Sequence, residues 1–224
     1  MLKKYLLTLL TIVLFIMTGC QSRDNVKDSF SEITEVYMEG KDENNKNIIS
    51  SISIGKRENP YIIDGVHQEN CDFSLVVIDF NKDLDENKIL VSLYINDIES
   101  KLELYFNPVN NVYMNDLGYS LNQNDKIEIV YQNFNIIFKD SSKDFKVDYK
   151  LAINLSINKL KKEISDAYVN GIFEGECYLK VLRYQNQNKE DLFWAFTFVD
   201  RHSGSYNILI YVYDSKIIFS DLKT

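Results

Sequence analysis

Hydrophobic and polar positions alternate over most of this chain, at the period of two that marks half-buried β-strands. Residues 32–38 form the first such segment. After a solvated polar stretch from 40 to 47, Ile48, Ser50, Ile52 and Ile54 share one face of a second. Residues 73–80 are apolar on both faces toward their middle, the pattern of a central sandwich strand. Ile89, Val91, Leu93 and Ile95 again line one face, Asn96-Asp97 begins a turn, and Leu102, Leu104 and Phe106 return along the next strand. Residues 126–131 and 134–138 give another pair. Strands at this spacing, separated by Asn/Asp-rich turns, predict an antiparallel β-sandwich.

Alternation then runs unbroken through Phe145, Val147, Tyr149, Leu151, Ile153, Leu155 and Ile157, which predicts one long strand that either closes the first unit or opens the second. From 158 to 169 the period changes. Leu160, Ile164, Ala167 and Tyr168 line one face of a helix, with Asn158 as its N-cap and Asn170-Gly171 as its stop. Four strands follow, over 176–184, 192–199, 206–213 and 216–220, and their short connections make them antiparallel neighbours. The predicted fold is therefore mainly β with a small α+β part. A β-sandwich spans 32–143, and a one-helix, four-stranded antiparallel meander spans 144–224.

The first unit is similar in pattern to immunoglobulin-like sandwich domains, without their Cys-Trp-Cys signature. The order of elements after residue 158, with Trp194 in the second strand and Asp214 before the last turn, resembles PepSY-like and cystatin-like modules. Ser215-Lys216 stands where those modules carry Gly after the Asp turn. The resemblance implies an extracytoplasmic regulatory, inhibitory or adaptor role with no catalytic site to carry over. Trp194, Phe196 and Phe198 share one strand face, so core packing explains them before ligand contact does.

The N-terminus has a different pattern. Lys3 and Lys4 precede an apolar run to Met17, then the small pair Thr18-Gly19 leads into Cys20. Charged, apolar and small-residue regions in that order form a secretory signal, and the apolar run is shorter than the roughly 20 residues a spanning helix needs. Met17-Thr18-Gly19-Cys20 resembles the cleavage box of bacterial lipoproteins of Gram-positive type. The resemblance implies removal of residues 1–19 and a diacylglyceryl group on Cys20. It also implies a cell-membrane location facing outside the cytoplasm, with 20–31 as a flexible tether. Two acyl chains give stable rather than marginal anchoring.

Charge excludes one class of partner. The chain carries 25 Lys and Arg against 33 Asp and Glu, and loss of Lys3 and Lys4 takes its net charge from −8 to −10. Nucleic-acid binding draws on an excess of basic residues, so none is expected.

Candidate chemistry is sparse. Asp79, Asn81, Asp83 and Asp85 place oxygen ligands at every second position, as the first half of an EF-hand loop does. Leu84 occupies the position of the turn glycine and Leu90 that of the bidentate Glu, so an acidic hairpin loop is the stronger reading and calcium the weaker. His67 and His202 lack the local partners of a zinc site and are expected in exposed loops. Cys71 and Cys177 are expected as free thiols, a disulfide between them being the lesser alternative. No Gly-x-Ser-x-Gly elbow and no phosphate-binding glycine loop occurs. The expected function is a non-enzymatic binding or adaptor lipoprotein acting on an envelope protein, with no cofactor. The alternatives are a small-ligand carrier or sensor, and last a hydrolase whose site is not local in sequence.

Overall fold

Strand β1 (Phe30–Asp42) organises the molecule, because within one twelve-stranded sheet it changes its partner on one side midway. In the computed structural model, which describes residues 26, 29–45, 47–64, 67–81, 84–186, 189–202 and 204–220, the first residues of β1 lie parallel to β11 (Gly175–Asn186), with Phe30 opposite Cys177 and Ile33 opposite Leu179. Its last residues instead pair antiparallel with β8 (Phe134–Asp140), Met38 opposite Asp140 and Asp42 opposite Ile136. The segment with Met17, Thr18, Gly19 and Cys20 lies outside the described residues, as does Asp83.

The pairing of β1 with β8 closes a barrel. Going round it, β1 is followed by β2 (Ile49–Glu58), β3 (Asn70–Asp79), β6 (Val112–Asp116), β5 (Ile98–Asn107), β4 (Lys88–Ile95), β7 (Ile127–Tyr131) and β8, all antiparallel. Alternate residues point inward, and Ile52, Val76, Ile78, Leu93, Leu104, Ile127, Ile129 and Ile136 are almost wholly buried. Eight strands enclose a space just wide enough for such side chains to fill. The first unit is thus a closed barrel and not the expected immunoglobulin-like sandwich. The residues that close it, Glu39 to Asp42, fall largely in the stretch expected to be a solvated loop. Gly40 is not a loop glycine: a Cβ there would meet Ser50, Ile136 and Phe138.

Beyond the barrel, β1 and β11 continue through β12 (Lys189–Asp200), β13 (Gly204–Tyr211) and β14 (Ile217–Ser220), each antiparallel to the one before. This is the predicted four-stranded meander, with β1 added as a parallel fifth strand. Ser215, in the turn before β14, takes φ +61°, the conformation for which a glycine was expected.

The long strand predicted over 145–157 is a helix, α1 (Tyr149–Lys159). Asp148 caps it by accepting the N–H of Leu151 at 2.7 Å. The buried residues are Ala152, Ile153 and Ser156, continuing to Leu160, Ile164 and Ala167, a stripe that follows 3.6 residues per turn. The small Ala152 and Ser156 let the helix lie close to the sheet, whereas Leu151, part of the apparent alternation, is exposed. The chain kinks at Leu160 into α2 (Lys161–Asp166), so the predicted cap Asn158 sits exposed inside α1. Asn170 and Gly171 both take positive φ and form the tip of a short hairpin, β9 (Tyr168–Val169) and β10 (Ile172–Phe173), rather than a simple helix stop.

The helices cover one face of β11–β13. Cys177, Leu179, Val181, Leu192, Trp194, Phe196, Phe198, Ile208, Ile210 and Val212 form that core, with Phe145 edge-on to Trp194. The indole N–H of Trp194 donates to the carbonyl of Val147 at 2.6 Å. Trp194→Phe retains an aromatic ring but loses this bond and some volume. It is expected to lower the unfolding free energy by about 2 kcal/mol, measured by urea denaturation followed by circular dichroism. A change below about 0.5 kcal/mol would mean that neither the bond nor the fit matters.

Candidate functional site

The departure of β1 from β11 leaves a wedge between the barrel and the meander. A register shift between Thr34 and Val36 bends β1 away, and β11 runs on to Asn186 with β12 on one side. Among the described residues, no strand pairs with the other side of β11 beyond Leu179. The wedge holds a cleft of about 520 Å³ lined by Glu39, Asp42, Ile48, Arg183, Leu192 and Tyr213, with Lys41, Glu43 and Asn45 at its rim. That volume lies in the range of ligand sites. A second cleft of about 420 Å³ lies along the same stretch of β1 and is lined by Lys139, Asp140 and Asp144 besides Glu39, Lys41 and Glu43.

An ion pair bridges the wedge. Arg183 Nη2 lies 2.5 Å from Glu39 Oε1, and both side chains are largely buried. Glu39 also accepts a hydrogen bond from Ser141 Oγ at 2.8 Å. Burial, and then the charge of Glu39, push the Tyr213 phenol above its ordinary pKa, so it stays a neutral donor. Asp42 serves the loop instead: its carboxylate accepts N–H groups of Asn44, Asn45 and Asn135 at 2.7, 3.0 and 2.8 Å. The wedge thus offers an open strand edge, a bridged charge pair, a phenol and an apolar wall. These are the features of a binding site.

A second polar cluster lies where β1, β2 and β11 meet. Glu32 accepts two bonds from Arg57, each 3.1 Å, and pairs with Lys180 at 3.1 Å. Arg57 also reaches Asp116 at 2.7 Å, and its guanidinium lies over the rings of Tyr61 and Phe73. Glu58 accepts the N–H groups of Ile62 and Gln68 and thereby ties down the loop between β2 and β3. Tyr178 donates to Glu176. Burial foremost raises the phenols of Tyr61 and Tyr178 far above their ordinary value, so neither loses its proton near neutral pH. The cluster ties the barrel to the sheet through β1, β2 and β11.

Other residues singled out from sequence stand apart. Asp79 caps its own loop by accepting the N–H of Asn81 at 2.7 Å, and Asn81 and Asp85 both take positive φ. Among the described residues, no group of three or more His, Cys, Asp or Glu is placed to hold a metal ion. His202 is exposed and pairs with Glu174 at 2.8 Å, but His67 is half-buried and not the exposed loop residue expected. Cys71 is exposed on β3 and Cys177 is buried on β11; both are free. Their strands are three places apart, on the order of 14 Å and out of disulfide reach.

Glu39, Arg183 and Tyr213 escaped the sequence reading because they share no local motif and meet only through the topology of β1. The chain matches no family model, and no curated protein or solved structure matches it.

Proposed function

We propose that this chain is a lipid-anchored, extracytoplasmic binding protein that holds an extended segment of an envelope protein in the wedge, as a strand added to β11. The edge of β11 over residues 180–186, which has no strand partner on that side among the described residues, lies beside a cleft of about 520 Å³ and carries this reading. Main-chain hydrogen bonds supply affinity in strand addition, and flanking side chains supply selectivity. Here Arg183 and Glu39 would exchange their mutual pairing for polar groups of the guest, and Leu192 would take an apolar side chain. Met17-Thr18-Gly19-Cys20 supports the anchored, outward-facing location.

A photo-crosslinking residue at exposed Tyr184 on β11 is expected to give a discrete protein adduct in intact cells. The same residue at Ile98, exposed on the far side of the barrel, is expected to give none. Arg183→Glu, which sets two carboxylates against each other, should weaken the adduct about tenfold or more while leaving Trp194 emission native. Equal adducts at 184 and 98, or none at 184, would sink the reading. The cleft volume also suits a small-ligand carrier, the alternative reading, in which ligand would protect the wedge but no protein adduct would form.

A further inference from the structure

We propose that the end of the molecule where β1 begins rests on the bilayer, with Ile62, Ile63, Val169 and Ile172 dipping into its apolar boundary. This rests on the lipid anchoring of Cys20 proposed above. Three observations meet at this end.

First, the tether is shorter than the sequence implied. Val26, Phe30 and Ser31 are buried, so only five residues separate Cys20 from a fixed point of the fold. Fully extended, they place Val26 at most about 20 Å from Cys20. The folded part therefore cannot stand clear of the membrane.

Second, the topology brings two projections to the same end. β11 runs parallel to β1, so the β9–β10 hairpin just before it lies beside the start of β1. β2 runs antiparallel to β1, so the loop that follows it lies there too, and Asn70 at its far end donates to the carbonyl of Phe30 at 2.8 Å.

Third, both projections expose branched apolar side chains, Ile63 also lining a cleft of about 230 Å³ with Tyr61, Tyr178 and Lys180. Ile63 is 61% exposed and Ile172 67%, with Ile62 and Val169 also exposed. The loop is held by Glu58, and the hairpin by its own pairing and its Asn170-Gly171 turn, so the side chains are presented at small entropic cost. Asp64, Glu69 and Asp72, exposed nearby, provide no attraction for anionic headgroups, so the contact is apolar and insensitive to salt. Seated this way, the protein points the wedge, at the opposite end of β1, away from the membrane.

The test uses the acylated protein in phosphatidylcholine vesicles containing brominated lipid. In a Cys71→Ser background, a polarity-sensitive probe is attached at Ile172→Cys, or for comparison at Val109→Cys, which is 88% exposed in the turn at the far end of the barrel. Bromolipid is expected to quench the probe at 172 about twofold and to leave the probe at 109 unchanged, at low and high salt alike. With the probe at Val169→Cys, the variant Ile62→Asp, Ile63→Asp, Ile172→Asp should lose the quenching while Trp194 emission stays native. An unquenched probe at 172, equal quenching at both ends, or quenching that survives the three Asp substitutions overturns the membrane seat, the first leaving these tips to a protein partner. Mass spectrometry of the mature N-terminus and vesicle flotation separate that failure from the other: an unmodified Cys20 with no flotation overturns the anchoring reading and the seat with it.

Discussion

Arg57→Ala is expected to lower the free energy of unfolding by about 3–5 kcal/mol, a large share of the total stability of a chain this size. The reason is what it leaves behind. Glu32 is 2% exposed and accepts two hydrogen bonds from Arg57, so the substitution leaves a buried carboxylate with Lys180 as its remaining cation. Lys180 is 38% exposed and is drawn as well to the hydroxyl of Tyr61, 2.7 Å away, so it compensates only in part. The truncation also empties the space between the rings of Phe73 and Tyr61, where the guanidinium lies 4.2 and 4.8 Å from their centroids. Glu32→Gln should cost less, because Arg57 keeps Asp116 and access to water. The double variant Glu32→Met, Arg57→Met should recover most of the loss, since a well-packed apolar pair often replaces a buried ion pair without cost. Urea denaturation followed by Trp194 emission measures all three. A loss of under 1 kcal/mol for Arg57→Ala, or a double variant no better than the single one, would show that the pair is solvated and does not lock the barrel to the sheet.

Strand periodicity made most individual strands legible, because a half-buried strand shows its buried face at every second residue wherever it ends up. Ile89, Val91 and Leu93 point inward as their spacing implied. Closure was not legible, because nothing local in Lys41-Asp42 states that Ile136 and Ile137 lie opposite. The polar tract after Gly40 looked like a loop because its residues are polar, yet Lys41 and Asp42 pair with β8, and Asp42 is buried where its carboxylate takes up backbone N–H groups. Alternation misled over 145–157, where apolar residues are so frequent that they satisfy a period of two and a helical period together; Asp148 as N-cap and the small Ala152 and Ser156 were the deciding signals. The site was the least legible part. Glu39 and Arg183 are 144 positions apart and meet only because β1 changes partner midway.

That change of partner underlies the second large effect. Gly55→Ala is expected to cost about 3 kcal/mol or more, well beyond an ordinary glycine substitution in a strand. A Cβ at Gly55 would stand 1.9 Å from the carbonyl oxygen of Ile33 and 3.1 Å from the amide nitrogen of Glu35. Both are backbone atoms, so no side chain can rotate out of the way. Glu35 is the extra residue of the bulge, since Thr34 lies opposite Gly55 and Val36 opposite Ile54. The crowding therefore falls at the point where β1 bends out of the sheet and into the barrel. The backbone has little room to yield, because Ile33 is held between Lys56 on β2 and Leu179 on β11. Gly118→Ala is the control: no atom lies within 4 Å of the added methyl, and the positive φ alone should cost about 1 kcal/mol. Both are measured by urea denaturation with Trp194 as the probe. If β1 must bend here to open the wedge, the folded fraction of Gly55→Ala should also lose crosslinking at position 184, whereas Gly118→Ala keeps it. A Gly55→Ala protein as stable as Gly118→Ala would mean that the two backbones do not approach this closely, and the origin of the wedge would have to be sought elsewhere.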